Sequence, residues 1–299
     1  MAEALNYAES YSRALANAFP YSLYFGALYA TPNNGRYKFI DAKTIKIPTL
    51  TTTGRVNADR DTIAFATRNY ENNWETKTLT NQRKWSTLVH PMDIDQTNMV
   101  ASISNITKTF NEFQKFPEID AYTVSKLYAD WGAQSMTASK TVLSVDNVLK
   151  EFDDMMLKMD NARVPATGRI LYVTFETRDL LKNAAGLQRN INVQQNNGLI
   201  DRKVSRLDEV TVVGVPATLM KTAYVFTTGW AAGPAADQIN MFLVHPLAVI
   251  TPVSYTFAQL NAPSALSEGK WVYYEESFED VFILNNLKDA MQFNITAHA

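Results

Sequence analysis

The chain has 299 residues and a mass of 33.6 kDa, enough for one large domain or two smaller ones. Hydrophobic residues make up 46% and charged residues 19%, with no low-complexity tract and no fixed-period repeat, which excludes a disordered chain and a solenoid. Lys and Arg number 28 against 30 Asp and Glu, so no overall attraction to nucleic acid or anionic membrane is encoded, and the lack of cysteine excludes disulfides, thiolate zinc sites and cysteine nucleophiles.

Residues 1 to 36 are rich in aromatic and apolar side chains up to the turn Pro32-Asn33-Asn34-Gly35, and the spacing of Tyr11, Leu15 and Ala18 predicts a short helix. The start lacks the basic and apolar regions of a signal peptide. The most apolar stretch, Phe19 to Ala30, is too short to span a bilayer, so a soluble, cytosolically made protein is expected. From Tyr37 to His90 the period changes to two, as in Lys43-Thr44-Ile45-Lys46-Ile47, with turn-rich segments at Thr51–Arg60 and Asn69–Asn73. This predicts a long strand-and-loop excursion with little core of its own.

Two helices are expected next. The first runs from about Thr97 to Phe116 and is ended by Pro117; the second runs from about Glu118 to Trp131 and stops at Gly132, giving a long, bent helical spine. A third helix follows Ser144 as N-cap, with Val148, Phe152, Met155 and Met159 on its apolar stripe and methionines that serve as core filler. Strand Arg169–Phe175, a short helix from Arg178, a Gln/Asn-rich loop to Gly198 and strand Val210–Pro216 precede a tail of strands from about Ile239 onward. Helices clustered centrally and strands flanking them predict an α+β fold rather than a repeated βαβ pattern.

Motifs that would carry chemistry are missing. There is no Gly-x-Gly-x-x-Gly turn, Walker-type loop or Gly-x-Ser-x-Gly elbow, and His90, His245 and His298 stand apart from one another, outside zinc-ligand spacing. Paired carboxylates occur at Asp153-Asp154, Glu275-Glu276 and Glu279-Asp280. The first pair lies opposite the apolar stripe of its helix and the others alternate with Tyr and Phe in strands, so solvated faces or a subunit contact are expected there. No catalytic residue, cofactor or metal site is predicted. The densest basic cluster, Arg202-Lys203 with Arg206, is flanked by acids, so any DNA contact would be local and non-specific.

The order of these elements resembles the Hong Kong ninety-seven type capsid fold of tailed phages, and particular strings carry the likeness. Lys43–Gly54 (KTIKIPTLTTTG) is similar to the strand that opens the E-loop of phage coat proteins. Trp85–Asn98 (WSTLVHPMDIDQTN) resembles the D-x-D-E-T passage that re-enters the P-domain, with Gln96 in place of the commoner acid. PEIDAYTVSKLYADW, ending at Trp131, resembles the spine helix, and EDVFILNNLKDAMQFNI, from Glu279, the closing P-domain strands.

The resemblance implies an N-arm at 1–36, an E-loop at 37–90, a P-domain with the spine helix at 91–137, an A-domain at 138–244 and P-domain return strands at 245–299. It implies a major capsid protein rather than an enzyme, one that forms pentamers and hexamers of an icosahedral virion shell, assembles in the bacterial host cytoplasm and encloses double-stranded DNA contacted non-specifically. The implied partners are further copies of the chain, a portal protein and a separate scaffolding protein, since the arm begins almost at Met1; no membrane is involved. Ile63, Phe65, Trp74 and Leu79 of the E-loop are the expected intersubunit contacts. Two other readings stand beside it: an encapsulin-type nanocompartment shell of the same fold, and an α+β enzyme using the acidic clusters.

Overall fold

A computed structural model of the protein describes residues 23–55, 57, 68–96, 102–184 and 206–298. The expected helix around Tyr11, Leu15 and Ala18 lies outside them, as do Ile63, Phe65, the basic pair Arg202-Lys203 and most of the Gln/Asn-rich loop.

The chain enters through a short helix α1 (Gly26–Tyr29), a 3-10 turn at Pro32–Gly35 and strand β1 (Lys38–Phe39). Strands β2 (Thr44–Thr52) and β3 (Tyr70–Thr78) then form a long antiparallel hairpin, paired from Thr44 with Thr78 out to Thr52 with Tyr70. β1 joins its other edge to make a three-stranded sheet. Strand β4 (Gln82–Val89) leaves this sheet for a second one, in the order β12–β13–β4, where β12 is Val253–Asn261 and β13 is Trp271–Glu279.

After helix α2 (Pro91–Gln96), the spine begins at α3 (Ile103–Phe110), capped by the Ser102 hydroxyl, which accepts from the Asn105 amide. Pro117 does not end this helix, contrary to the sequence reading. The five residues Asn111–Lys115 form a π-helical turn that leads directly into α4 (Phe116–Ala133). The physical reason is the proline ring, which lacks an N–H and clashes with the carbonyl of residue i−4 in a regular helix. A wider i→i+5 turn, here with the Phe116 amide donating to the Asn111 carbonyl, gives the ring room without breaking the rod.

Helix α5 (Val148–Asn161) starts later than expected, because Asn147 rather than Ser144 is the capping position. The Asn147 side chain accepts from the Ser144 amide and donates to the Val142 carbonyl, closing a turn ahead of the helix. Strand β5 (Ile170–Thr174), helix α6 (Phe175–Asn183), strands β6 (Arg206–Leu207) and β7 (Val210–Val215), a small pair β8 (Tyr224–Val225) and β9 (Ala231–Ala232), and strand β10 (Gln238–Val244) follow. β11 (Val249–Ile250) pairs with β14 (Phe282–Ile283), and β15 (Met291–Thr296) closes the chain.

The largest sheet has the order β15–β10–β5–β7–β6, with β5 and β7 parallel and the other pairs antiparallel. β15 thus pairs with β10, away from the neighbouring return strands β12 and β13. The interior strand β10 is mostly apolar and buried on both faces, which requires cover on each side. Phe25 and Leu28 at and within α1, Val124, Leu127 and Trp131 of the spine, and Phe152, Met155 and Met159 of α5 join it in one core. Phe242 stacks on Phe293 with ring centroids 4.4 Å apart, and the Trp131 indole N–H donates to the Lys288 carbonyl at 3.1 Å. The mixed helices and sheets are the α+β fold expected from the sequence.

Candidate assembly surface

Strict alternation gives the β2–β3 hairpin two unlike faces. Odd-numbered Ile45 and Ile47 point inward and join Leu79, Ile250, Phe278 and Phe282 in a separate small core. The hairpin is therefore seated by residues far along the chain, and its base has more core than the sequence reading allowed. Glu75 adds a polar anchor: it pairs with Lys77 at 3.0 Å and accepts from the Asn285 amide at 3.2 Å, while the Lys77 ammonium donates to Asn285 Oδ1 at 2.9 Å.

Even-numbered positions face the other way. Pro48, Leu50, Tyr70 and Trp74 share one face, and Leu50 is 64% exposed, Tyr70 56% and Trp74 51%. Arg68 lies over the Tyr70 ring at 5.8 Å. Three large side chains thus lie exposed together on one face of an ordered hairpin. Of the four contacts expected from the sequence, Trp74 is where a neighbour could reach it. Leu79 is not: at 2% exposure its surface is already covered by its own chain, because it sits where the hairpin re-enters the small core. Leu50 and Tyr70, not among the contacts expected from the sequence, share the exposed face with Trp74.

The second sheet packs its inner face against the spine. Trp85 of β4 stacks on Phe110 at 3.9 Å and 7°, Arg83 Nε donates to Glu118 at 2.6 Å, and Lys115 pairs with Glu275 at 3.0 Å. Arg83 also donates to the Phe226 carbonyl at 2.6 Å, tying the spine, this sheet and the β8–β9 turn together. Between them lies a cavity of about 570 Å³ lined by Arg83, Trp85, Gln114, Glu118, Tyr122 and Glu275 among others.

The acidic clusters behave differently from expectation. Asp153 and Asp154 are exposed, as the helical spacing predicted. Glu275 and Asp280 are buried, so the solvated face or subunit contact expected for them is corrected: Glu275 lies on the inner face of β13 against Lys115, and Asp280, just past the end of β13, meets Tyr122 of the spine. Asp280 is fully engaged, accepting from the Thr80 amide and hydroxyl, the Tyr122 hydroxyl and the Val281 amide, and Glu275 accepts from Tyr273 at 2.7 Å. Such carboxylates hold structure together. Burial pushes the Glu279 carboxyl up, opposed by Lys115.

Another buried acid was not singled out from the sequence. Asp120, on the spine, is 1% exposed and accepts from the Tyr24 and Phe25 amides at 3.0 and 3.2 Å, capping the entry to α1. Desolvation raises its pKa to about 7 against the two hydrogen bonds. Close by, the Tyr29 hydroxyl and Thr123 Oγ1 are 2.8 Å apart.

His245 has a structural role: Nδ1 accepts from the Leu247 amide and Nε2 lies 3.1 Å from the Thr167 carbonyl. Among the described residues no group of three or more His, Asp or Glu could hold a metal ion, and no helix is long and apolar enough to cross a membrane.

A spine helix packed on a three-stranded sheet, a five-stranded mixed sheet and a projecting hairpin define the Hong Kong ninety-seven type capsid fold, and the chain has that fold. It is similar to the chain in the bacteriophage PhiM1 mature capsid (TM-score 0.61, 13% identity, 86% of this chain and 83% of that one). A chain from Mycobacterium phage Bobi gives 0.57 at 12% identity, covering 93% and 91%, and one from the cyanophage P-SCSP1u capsid gives 0.56 at 10%, covering 88% and 86%. No protein-family model matches the chain, and no curated protein matches its sequence.

Proposed function

We propose that this chain is the major capsid protein of a tailed bacteriophage, a structural protein that builds the icosahedral head around double-stranded DNA from pentamers and hexamers of itself. The observation that carries the reading is the β2–β3 hairpin: its base is built into the fold, and its outward face, with Leu50, Tyr70 and Trp74, is left exposed among the described residues. A 9-residue strand pair spans about 30 Å at about 3.3 Å per residue, long enough to reach over an adjacent copy. Pairing there covers apolar surface and strand edges that would otherwise promote aggregation. Phage capsid chains of the same fold support this assignment.

In this reading residues 1–36 form the N-arm, 37–90 the E-loop, 91–137 and 245–299 the P-domain, and 138–244 the A-domain, with β15 reaching back into the A-domain sheet. The portal and a separate scaffolding protein are the other partners. DNA is held without sequence preference, and no catalytic step is assigned to the chain. The test is to replace residues 50–72 by a short Gly-Ser turn, leaving Ile45, Ile47 and Leu79 in place. The variant keeps its circular dichroism and cooperative melt but forms no shells by negative-stain microscopy. Normal shells from it would remove the hairpin from the assembly mechanism.

A further inference from the structure

By register, Thr256 and Ala258 of β12 share a sheet face with Ser277 and Glu275 of β13 and with Arg83 and Trp85 of β4, the face that packs on the spine. Both small residues nevertheless stay exposed, because they line the cavity of about 570 Å³ that separates this edge of the sheet from the helix. Alternation along β13 brings Glu279 to the same face. The opposite wall comes from Gln114 and Lys115, the last two residues of the π-helical turn, and from Glu118 and Tyr122 of the spine. Wide turns of this kind recur at functional sites, and here the turn supplies part of a cavity wall. Thr228 and Gly229, between β8 and β9, complete the lining.

The charges in this space do not cancel. Arg83 is paired with Glu118 at 2.6 Å and Lys115 with Glu275 at 3.0 Å, while on the outer face of the sheet Lys84 stands opposite Glu276. Glu279 is left over. Among the described residues no hydrogen bond reaches its carboxylate, burial raises its pKa, and the cation that opposes this rise, Lys115, already pairs with Glu275. The rings of Trp85, Phe110 and Tyr122 lie in the same lining. Small-molecule sites are commonly cavities of roughly 300–1,000 Å³ with apolar and aromatic walls and a few polar groups. An unmatched carboxylate beside aromatic rings favours a cation that carries an apolar body. A metal ion fits poorly, since no group of three or more His, Asp or Glu among the described residues could hold one. An anion would have to displace Glu118 or Glu275 from its partner.

We propose that the cavity between the spine and the β12–β13–β4 sheet binds a small organic cation, an amine or guanidine with an apolar body, with Glu279 as its counter-ion and the rings of Trp85, Phe110 and Tyr122 against its apolar part. Bound there, the ligand touches the spine, the sheet and the β8–β9 turn together, so it stabilises the joint between them in the folded chain. The site is complete within one chain and stands whether or not shells form.

The probe is phenethylammonium, compared with phenethyl alcohol, which has a similar shape and no charge. Each is titrated calorimetrically into the unassembled full-length chain at about pH 8, where an alkylammonium keeps its proton. Saturable binding of the amine is expected, at least about tenfold tighter than that of the alcohol, and Glu279→Gln weakens the amine by about tenfold while leaving the alcohol unchanged. Ala258→Trp, at an exposed position on an edge strand, fills the cavity and removes binding of the amine. Asp154→Asn deletes the same charge from the exposed face of α5 and changes neither affinity. Equal affinity for amine and alcohol, an equal loss from Glu279→Gln and Asp154→Asn, or an amine titration that never saturates overturns the proposal. The comparison of amine with alcohol uses the unmodified chain, so a folding defect in any variant does not protect the idea.

Discussion

Trp74 lies midway along β3 and Leu79 just past its end, yet their substitutions belong to different experiments. Leu79→Ala opens a cavity in the small core under the hairpin and costs about 2–4 kcal/mol, read as a lower midpoint in urea. Trp74→Ala removes a side chain that the folded monomer leaves half in water. Its melt shifts by less than about 1 kcal/mol, while shell yield falls. Equal destabilisation of the monomer by both would place Trp74 in the core and contradict the division. A second residue-scale outcome concerns Asp120. Its pKa is raised to about 7 in the fold from an ordinary 3.8, so the folded state holds the proton more tightly than the unfolded one. Stability from this group is complete below about pH 4 and is lost as pH rises to about 7, with a slope of at most about 1.4 kcal/mol per pH unit. Asp120→Asn flattens that part of the profile, measured as the difference between wild type and variant, because Glu279 and Asp130 shift in the same direction and remain in both.

At the scale of elements, the spine shows where sequence patterns stop being informative. The period of apolar positions made both halves of the helix visible, and proline was read as the break between them. Whether a proline ends a helix or is absorbed depends on the turn before it, and nothing in Asn111–Lys115 marks that turn as π-helical. Ser144 and Asn147 are both good caps, and the choice between them is settled by side-chain bonds to Ser144 and Val142. Glu275 was misplaced because alternation tells which residues share a face but not which face is covered, and Asp280 because it lies just past the strand, where Thr80, Tyr122 and Val281 hold it. The π turn has a testable cost structure. Deleting Glu112 restores an α-helical count, and Pro117 then clashes with the carbonyl one turn back, destabilising by about 3 kcal/mol. Combining the deletion with Pro117→Ala recovers most of that loss in a chemical-denaturation cycle. A deletion that is harmless alone would show that the proline does not require the wide turn.

For the whole molecule, the order of arm, excursion, spine and return strands was legible, and with it the fold. The pairing of β15 with β10 was not, since closing strands could join either sheet and only three-dimensional packing of Phe293 on Phe242 decides it. The same arrangement concerns time as well as space. The hairpin that reaches outward is held down by Ile250, Phe278 and Phe282, and the main core lacks Met291, Phe293 and Ile295 until the last strand exists. Contacts of such long sequence separation form late, since the intervening loop must close first. A chain still on the ribosome thus has its clamp sequence but no seat for it. The hairpin is therefore expected to reach its seated form only when the later strands are made. Nascent chains stalled before residue 278 accordingly leave the β2–β3 segment open to protease, while release of the full-length chain brings protection.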